Sequence, residues 1–228
     1  MERNFIKELD ELKMTLLNMA ALTTRAFEKS TQAYLNRDET LAQTVIDGDR
    51  KINNLELKID QIVLKLLALE QPMARDLRFI LGSTKISKEL ERIADQAVNI
   101  SERALFLCQQ PPLDHIPAME QLIKVADAML DAAITSFVED DTQKAIRIRQ
   151  MDDIADKHTL EVLQTLIDKM VKSTPGTENR ILNTQRAVQT IIISRCLERV
   201  GDLATNIGEH VAFIVEAINI KHQKINFE

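Results

Sequence analysis

Apolar residues recur along this chain at intervals of three, four and seven, the repeat of an amphipathic helix. From Phe5 to about Tyr34 they are Leu9, Leu12, Leu16, Met19, Ala20 and Phe27. The same periodicity predicts five further helices, over about Glu39–Ala68, Ala74–Cys108, Ala118–Glu139, Thr142–Lys172 and Glu178–Lys221. Proline lacks an N–H and clashes with the turn before it. It falls outside all six segments, at Pro72, at Pro111, Pro112 and Pro117, and at Pro175. Met14, Met19 and Met73 stand at spacings that read as core packing. The stretch from Gln109 to Pro117 is the clearest linker, and it divides the chain into residues 1–110 and 111–228, with three helices each.

The two halves are copies. Residues 90–107 read LERIADQAVNISERALFL and residues 197–214 read LERVGDLATNIGEHVAFI, with nine of 18 positions identical at a spacing of 107. The middle helices align at a spacing of 103, which sets Tyr34 on Phe137, Asp38 on Asp141, Ala42 on Ala145 and Asp49 on Asp152. The spacing changes because the second copy has a longer connection around Pro175. The expected fold is all-α, a tandem repeat of two three-helix bundles.

On a wheel of about 100° per residue, Leu90, Ile93, Ala94, Ala97 and Ser101 share one stripe, repeated as Leu197, Val200, Gly201, Ala204 and Gly208. Small residues at 94/201 and 101/208 let neighbouring helices approach closely. Beside that core stripe runs a second one, Glu91, Asp95 and Asn99, repeated as Glu198, Asp202 and Asn206. Like charges at i, i+4 on a helix cost a few tenths of a kcal/mol per pair. Lys88, Arg92, Arg195 and Arg199, each three residues before an acid, offer ordinary ion pairs as the simplest remedy. The middle helices add a second oxygen-bearing ridge in each copy: Asp152 with Asp156, and Asp49 with Asn53. Two such ridges on packed helices, with axes about 8–10 Å apart, converge on a cation. Carboxylate and amide oxygens suit Mg, Mn, Fe or Ca.

Composition narrows the field further. Aromatics make up 4%, Trp is absent, and five Gly and five Pro leave few turns. A net charge of −6 disfavours nucleic acid and anionic lipid. Cys108 and Cys196 are isolated and make no disulfide framework. The N-terminus carries no apolar signal region, and no stretch is apolar enough for membrane insertion, so a cytoplasmic setting is expected. No phosphate-binding loop, dinucleotide fingerprint or nucleophile elbow is present. His115, His158, His210 and His222 form no cluster, and His210 reads as a helix-surface residue. There is no Gly-rich nest and no Arg cluster for phosphate. A binding protein, not an enzyme, is the expectation, with a metal-storage carboxylate bundle as the alternative.

The segment QPMARDLRFILGSTKISKELERIADQAVNI, with VIDGDRKINNLE before it and LERVGDLATNIGE in the second copy, resembles the PhoU family of phosphate-uptake regulators. The resemblance runs through both copies in order. It implies two three-helix bundles, a cytoplasmic protein, often a homodimer, and no catalysis. It implies as partners the ATPase of the phosphate ABC transporter and the phosphate-sensing histidine kinase, with the starvation response held off when phosphate is plentiful. It also implies iron, zinc, magnesium or manganese on paired (E/D)xxxD motifs: Asp152, Asp156, Glu198 and Asp202 in one copy, Asp49, Glu91 and Asp95 in the other. Asn53 stands where many relatives carry an acid, so the first site should hold its cation less tightly.

Overall fold

The computed structural model describes residues 2–172 and 177–218. Among these, six helices follow one another: α1 (Glu2–Asn36), α2 (Glu39–Leu69), α3 (Ala74–Cys108), α4 (Pro117–Glu139), α5 (Thr142–Lys172) and α6 (Thr177–Glu216), with no strand. The periodicity located every one, four of them with slightly different ends. The last helix stops short of the expected Lys221, because Ala217 turns left-handed at φ 59° and its N–H bonds back to Phe213. Pro175, its connection and His222 lie outside the described residues.

The repeated Asp38 and Asp141 are explained by capping. Arg37 and Asp140 both turn left-handed, at φ 56° and 55°, and end α1 and α4. The next residue then opens the following helix. Asp38 Oδ1 accepts from the Leu41 N–H at 2.9 Å and Asp141 Oδ1 from the Lys144 N–H at 3.0 Å, each satisfying one orphan donor of a first turn. A two-residue hinge is thus built identically twice.

Helices α1, α2 and α3 pack on one another, as do α4, α5 and α6. The bundles are joined by α3 lying antiparallel on α6, an interface as extensive as any within a bundle. The result is a layer in the order α2, α3, α6, α5, backed by α1 and α4. One continuous apolar core runs through both halves, with Leu90, Ile93, Ala97, Leu197, Val200 and Ala204 at its centre.

The α3–α6 contacts repeat about a pseudo-twofold axis. Glu89 faces His210 at 3.9 Å, and Arg103 acts on Cys196; each residue of one pair is the other's counterpart at the 107 spacing. The aromatic pair at the ends of α1 and α4 crosses between bundles in the same way. The Tyr34 hydroxyl lies beside Thr190 of α6, while Phe137 stacks on Phe79 of α3 at 6.4 Å.

Two of the three methionines read as core are exposed: Met14 is 65% and Met73 is 78% accessible, while Met19 is sealed. Met14 stands about 200° round the wheel from Leu12 and Leu16, and Met73 precedes α3 in the loop. The small-residue stripe performs as expected. A Cβ on Gly208 would come within 2.9 Å of the Ala145 carbonyl of α5, and one on Gly201 within 3.1 Å of Met129 Sδ of α4. Gly208→Ala should therefore destabilise by about 1–3 kcal/mol through overpacking against backbone. Gly48→Ala, where nothing lies within 4 Å, should stabilise α2 by about 0.5–1 kcal/mol. Chemical denaturation of both variants checks the opposite signs.

Candidate functional site

Both expected ridges face the seams of the four-helix layer. In the second copy Asp152 and Asp156 project from α5, Glu198 and Asp202 from α6. Partial burial and the charges of Asp202, Asp156, Asp153 and Glu198 push the Asp152 carboxyl up to about 6. Asp202 is raised as well, by burial and by Glu198 and Asp156, against the opposing pull of Arg199 and Arg195. All four predicted residues thus share one field, and the repulsion is only partly relieved. Gly201 keeps this seam tight: its missing Cβ would lie 3.8 Å from Asp152 Oδ1.

The first copy is built similarly and compensated differently. Burial, Asp95, Glu56 and Asp49 raise Glu91, and burial with Asp49 raises Asp95. Asn53 donates from Nδ2 to Asp49 Oδ2 at 2.7 Å, supplying locally what a cation would supply. Asp49 Oδ1 and Asn53 Oδ1 remain buried without a hydrogen-bond partner, an arrangement that costs free energy unless something electropositive meets it.

Glu56 belongs to this cluster and was not anticipated. Burial, Asp60 and Asp95 raise its carboxyl, with Lys88 opposing. Its spacing of seven from Asp49 was the available signal, two turns along the same helix face. The counterpart in the second copy is Thr159, whose buried hydroxyl oxygen has no hydrogen-bond partner. Beyond the three acids at matched positions, the first copy adds Glu56 with Asp60 and the second adds Asp156 with Asp153.

The intrahelical ion pairs form only in part. Arg195 meets Glu198 at 2.6 Å. Arg92 turns back to Glu89 at 3.1 Å instead of forward to Asp95, and Asp95 is served across the interface by Arg199. The sequence held no arginine cluster, but the fold makes one. Arg92 of α3 joins Arg195 and Arg199 of α6 in an open groove of about 610 Å³ that also contains Asp152, Glu198 and Asp202. Arg92 is paired with Glu89 and Arg199 is shared with Asp95, so the carboxylates of this seam outnumber the cations that reach them. His210 is not a surface residue: it is 5% exposed, held between α6 and α3 beside Glu89. Asn206, the last member of the second stripe, also turns to Glu89.

Among the described residues no group of three or more His, Cys, Asp or Glu side chains is gathered closely enough to hold a metal ion. The donor chemistry of the seams, as distinct from its spacing, suits a hard cation. They offer oxygen donors only, in two like-charged clusters with raised carboxyls, and the first holds two orphaned buried oxygens.

Comparison with known proteins places this architecture. The PhoU domain model matches residues 16–104 and 119–211, once per copy. The chain belongs to the PhoU family. It is 33% identical over 219 residues to the phosphate-specific transport system accessory protein PhoU homolog of Aquifex aeolicus, covering 96% of both chains. With the corresponding homolog of Pseudomonas aeruginosa it shares 31% over 222 residues, 96% of this chain and 88% of that one. The crystal structure of PhoU from Pseudomonas aeruginosa superposes with a TM-score of 0.85 at 30% identity, covering 94% of this chain and all of that one. The phosphate transport system regulatory protein PhoU from Streptococcus pneumoniae gives 0.85 at 25% identity, over 95% and 99%. The family is one of accessory and regulatory proteins, not enzymes.

The raised Asp152 carboxyl fixes the sign of a pH effect. A carboxyl whose folded value is about 6 against an ordinary 3.8 favours the fold below about pH 4 and loses that contribution as pH rises through 6. In chelator-treated buffer, Asp152→Asn should raise Tm at pH 7.5 and leave it nearly unchanged at pH 4. A thermal scan across that range checks it.

Proposed function

We propose that this PhoU-family chain is a negative regulator of phosphate uptake and of the phosphate-starvation response. It acts as a binding protein between the ATPase of the phosphate ABC transporter and the phosphate-sensing histidine kinase. The observation that carries the reading is likeness over nearly the whole length, in sequence and in fold, to proteins named as accessory and regulatory components of phosphate transport. No helix among the described residues is long and apolar enough to cross a membrane; the reading places the chain on the cytoplasmic side, reaching the transporter through protein contacts. A homodimer is part of the same reading.

The physical mechanism is differential affinity. A protein that binds one conformation of a transporter or kinase better than another shifts the balance by that difference, about 1.4 kcal/mol for each factor of ten. Neither a Gly-rich nest nor an unbalanced arginine cluster offers phosphate a site, so phosphate status reaches the regulator through its partners' conformations. The continuous core suits this role, because it joins both bundles through the α3–α6 interface.

The acidic seams are the proposed metal sites, for Mg, Mn, Fe or Zn. Asp152, Asp156, Glu198 and Asp202 would hold one ion, and Asp49, Glu91 and Asp95 another, with Asn53 and Glu56 beside them. A bound cation supplies positive charge between paired helices. These residues themselves orient the oxygens, and Asn53 already occupies one oxygen of Asp49.

Two experiments follow. Deleting the gene should switch on phosphate-starvation genes in phosphate-rich medium, and restoring the wild-type chain should repress them; unchanged expression would sink the regulatory reading. By elemental analysis, Glu198→Gln with Asp202→Asn should lower metal content more than Glu91→Gln with Asp95→Asn. Equal losses would count against the asymmetry attributed to Asn53.

A further inference from the structure

The open face of the α2–α3–α6–α5 layer carries exposed aliphatic side chains in matched positions. Leu57 and Leu64 of α2 are 60% and 67% accessible, and their counterparts Leu160 and Ile167 of α5 are 57% and 43%. Leu81 of α3 and its counterpart Val188 of α6 are 39% and 42% accessible. Single exposed apolar residues need no explanation. Three recurring at the same positions in both repeats do, since even the most similar stretch keeps only nine of 18 residues.

Their placement relative to the carboxylates is also repeated. On the helical wheel Leu57 and Leu64 stand about 60–80° from Asp49, on the side away from the core, and Leu160 and Ile167 stand likewise from Asp152. The antiparallel register that sets Asp49 against Glu91 and Asp95 brings Leu64 level with Leu81. The same register brings Ile167 level with Val188. Each seam therefore reads, from the middle outward, as a cluster of carboxylates continued by an aliphatic patch. The pseudo-twofold axis between α3 and α6 carries one seam onto the other.

We propose that this face docks a twofold-symmetric dimer, each of whose subunits lays an aliphatic helix face edged with Lys or Arg along one seam, the two axes coinciding. The inference rests on the accessory-protein reading, which supplies the partner. A symmetric dimer presents one patch twice in a fixed relation, and the shared core holds the two seams in a fixed relation too. Charge selects the occupant. A second copy of this chain, face to face, would set carboxylates against carboxylates, which is costly. A basic helix relieves the repulsion within each seam while covering its leucines. Engagement of both seams adds avidity: the second contact forms within the complex at a high effective concentration.

The test uses the purified ATPase subunit of the phosphate transporter with the full-length chain, read by native mass spectrometry for composition and by titration for Kd. The expected complex holds one chain per two ATPase subunits. Leu57→Lys with Leu64→Lys, and separately Leu160→Lys with Ile167→Lys, should each weaken binding by about 100-fold, the loss of avidity, and by similar factors. All four together should abolish it. Unchanged helicity and Tm exclude misfolding, since every substituted side chain is exposed. A one-to-one complex, or indifference to either pair, overturns the proposal. Wild-type affinity in the fourfold variant overturns it while leaving the accessory reading intact. Failure of the wild-type chain to bind the ATPase at all overturns both. If the variants instead dissociate a homodimer of this chain, the face belongs to a second copy and the proposal is wrong.

Discussion

The packing of α3 against α6 is the constraint on which the rest of this structure depends. Three helices with one apolar stripe each can close a small bundle. Here the third helix of each bundle must satisfy its own bundle and the opposing third helix as well. Leu90, Ile93, Ala97 and their counterparts do so with a stripe of large and small residues that leaves room on both sides. Close approach follows at the ends. A Cβ on Gly82 would run into the Ile214 side chain at 2.3 Å, and Arg78 Nε donates to the Ile214 carbonyl at 3.2 Å. Because the two helices are copies laid antiparallel, each contact that one repeat makes tends to return from the other. The pseudo-symmetry of the molecule is a consequence of this interface, not an independent feature.

That interface also decides which charges meet. Carboxylates spaced i, i+4 would find ordinary intrahelical partners on an isolated helix. Packing diverts Arg92 to Glu89 and brings Arg199 within reach of Asp95, so the first acidic seam depends partly on an arginine from the other bundle, while the second relies on Arg199 and Arg195 of its own α6. The seams stay under repulsion because too few cations reach them, as the raised Asp152, Asp202, Glu91 and Asp95 show. Local destabilisation of this kind persists where the surrounding core over-determines the geometry, and it is commonly found at sites that meet a ligand or a partner.

How much of this could be read from the residues follows from where the information lies. Helix existence is a local property: periodic apolar residues and the prolines between segments settle it, and the ends follow to within a few residues. The close approaches at Gly201 and Gly208 were legible because small residues at spacing seven on a core stripe have few other uses. Glu56, His210 and the Arg92–Arg195–Arg199 groove were not legible, because each depends on how one helix registers against another. His210 continues the Asp202–Asn206 stripe on the wheel and so looked exposed, yet it lies against α3 and is buried. Met14 and Met73 misled in the opposite sense: spacings that read as core packing leave Met14 on the far side of the wheel from Leu12 and Leu16 and Met73 in the loop before α3.

Asn53 stands where the second copy carries Asp156, and the two acidic clusters differ accordingly. In the second copy Asp156 adds a charge to the Asp152 field. In the first copy the amide at the equivalent position donates to Asp49, removing one negative charge and adding one hydrogen bond. Glu56, a turn further on, restores a carboxylate to the seam. The acid is thus regained, but it lies farther along the helix from Asp49 and on a longer side chain. The two seams thus present similar charge with different geometry. A single chain keeps two faces matched in charge while the oxygens of each are spaced differently along the helix.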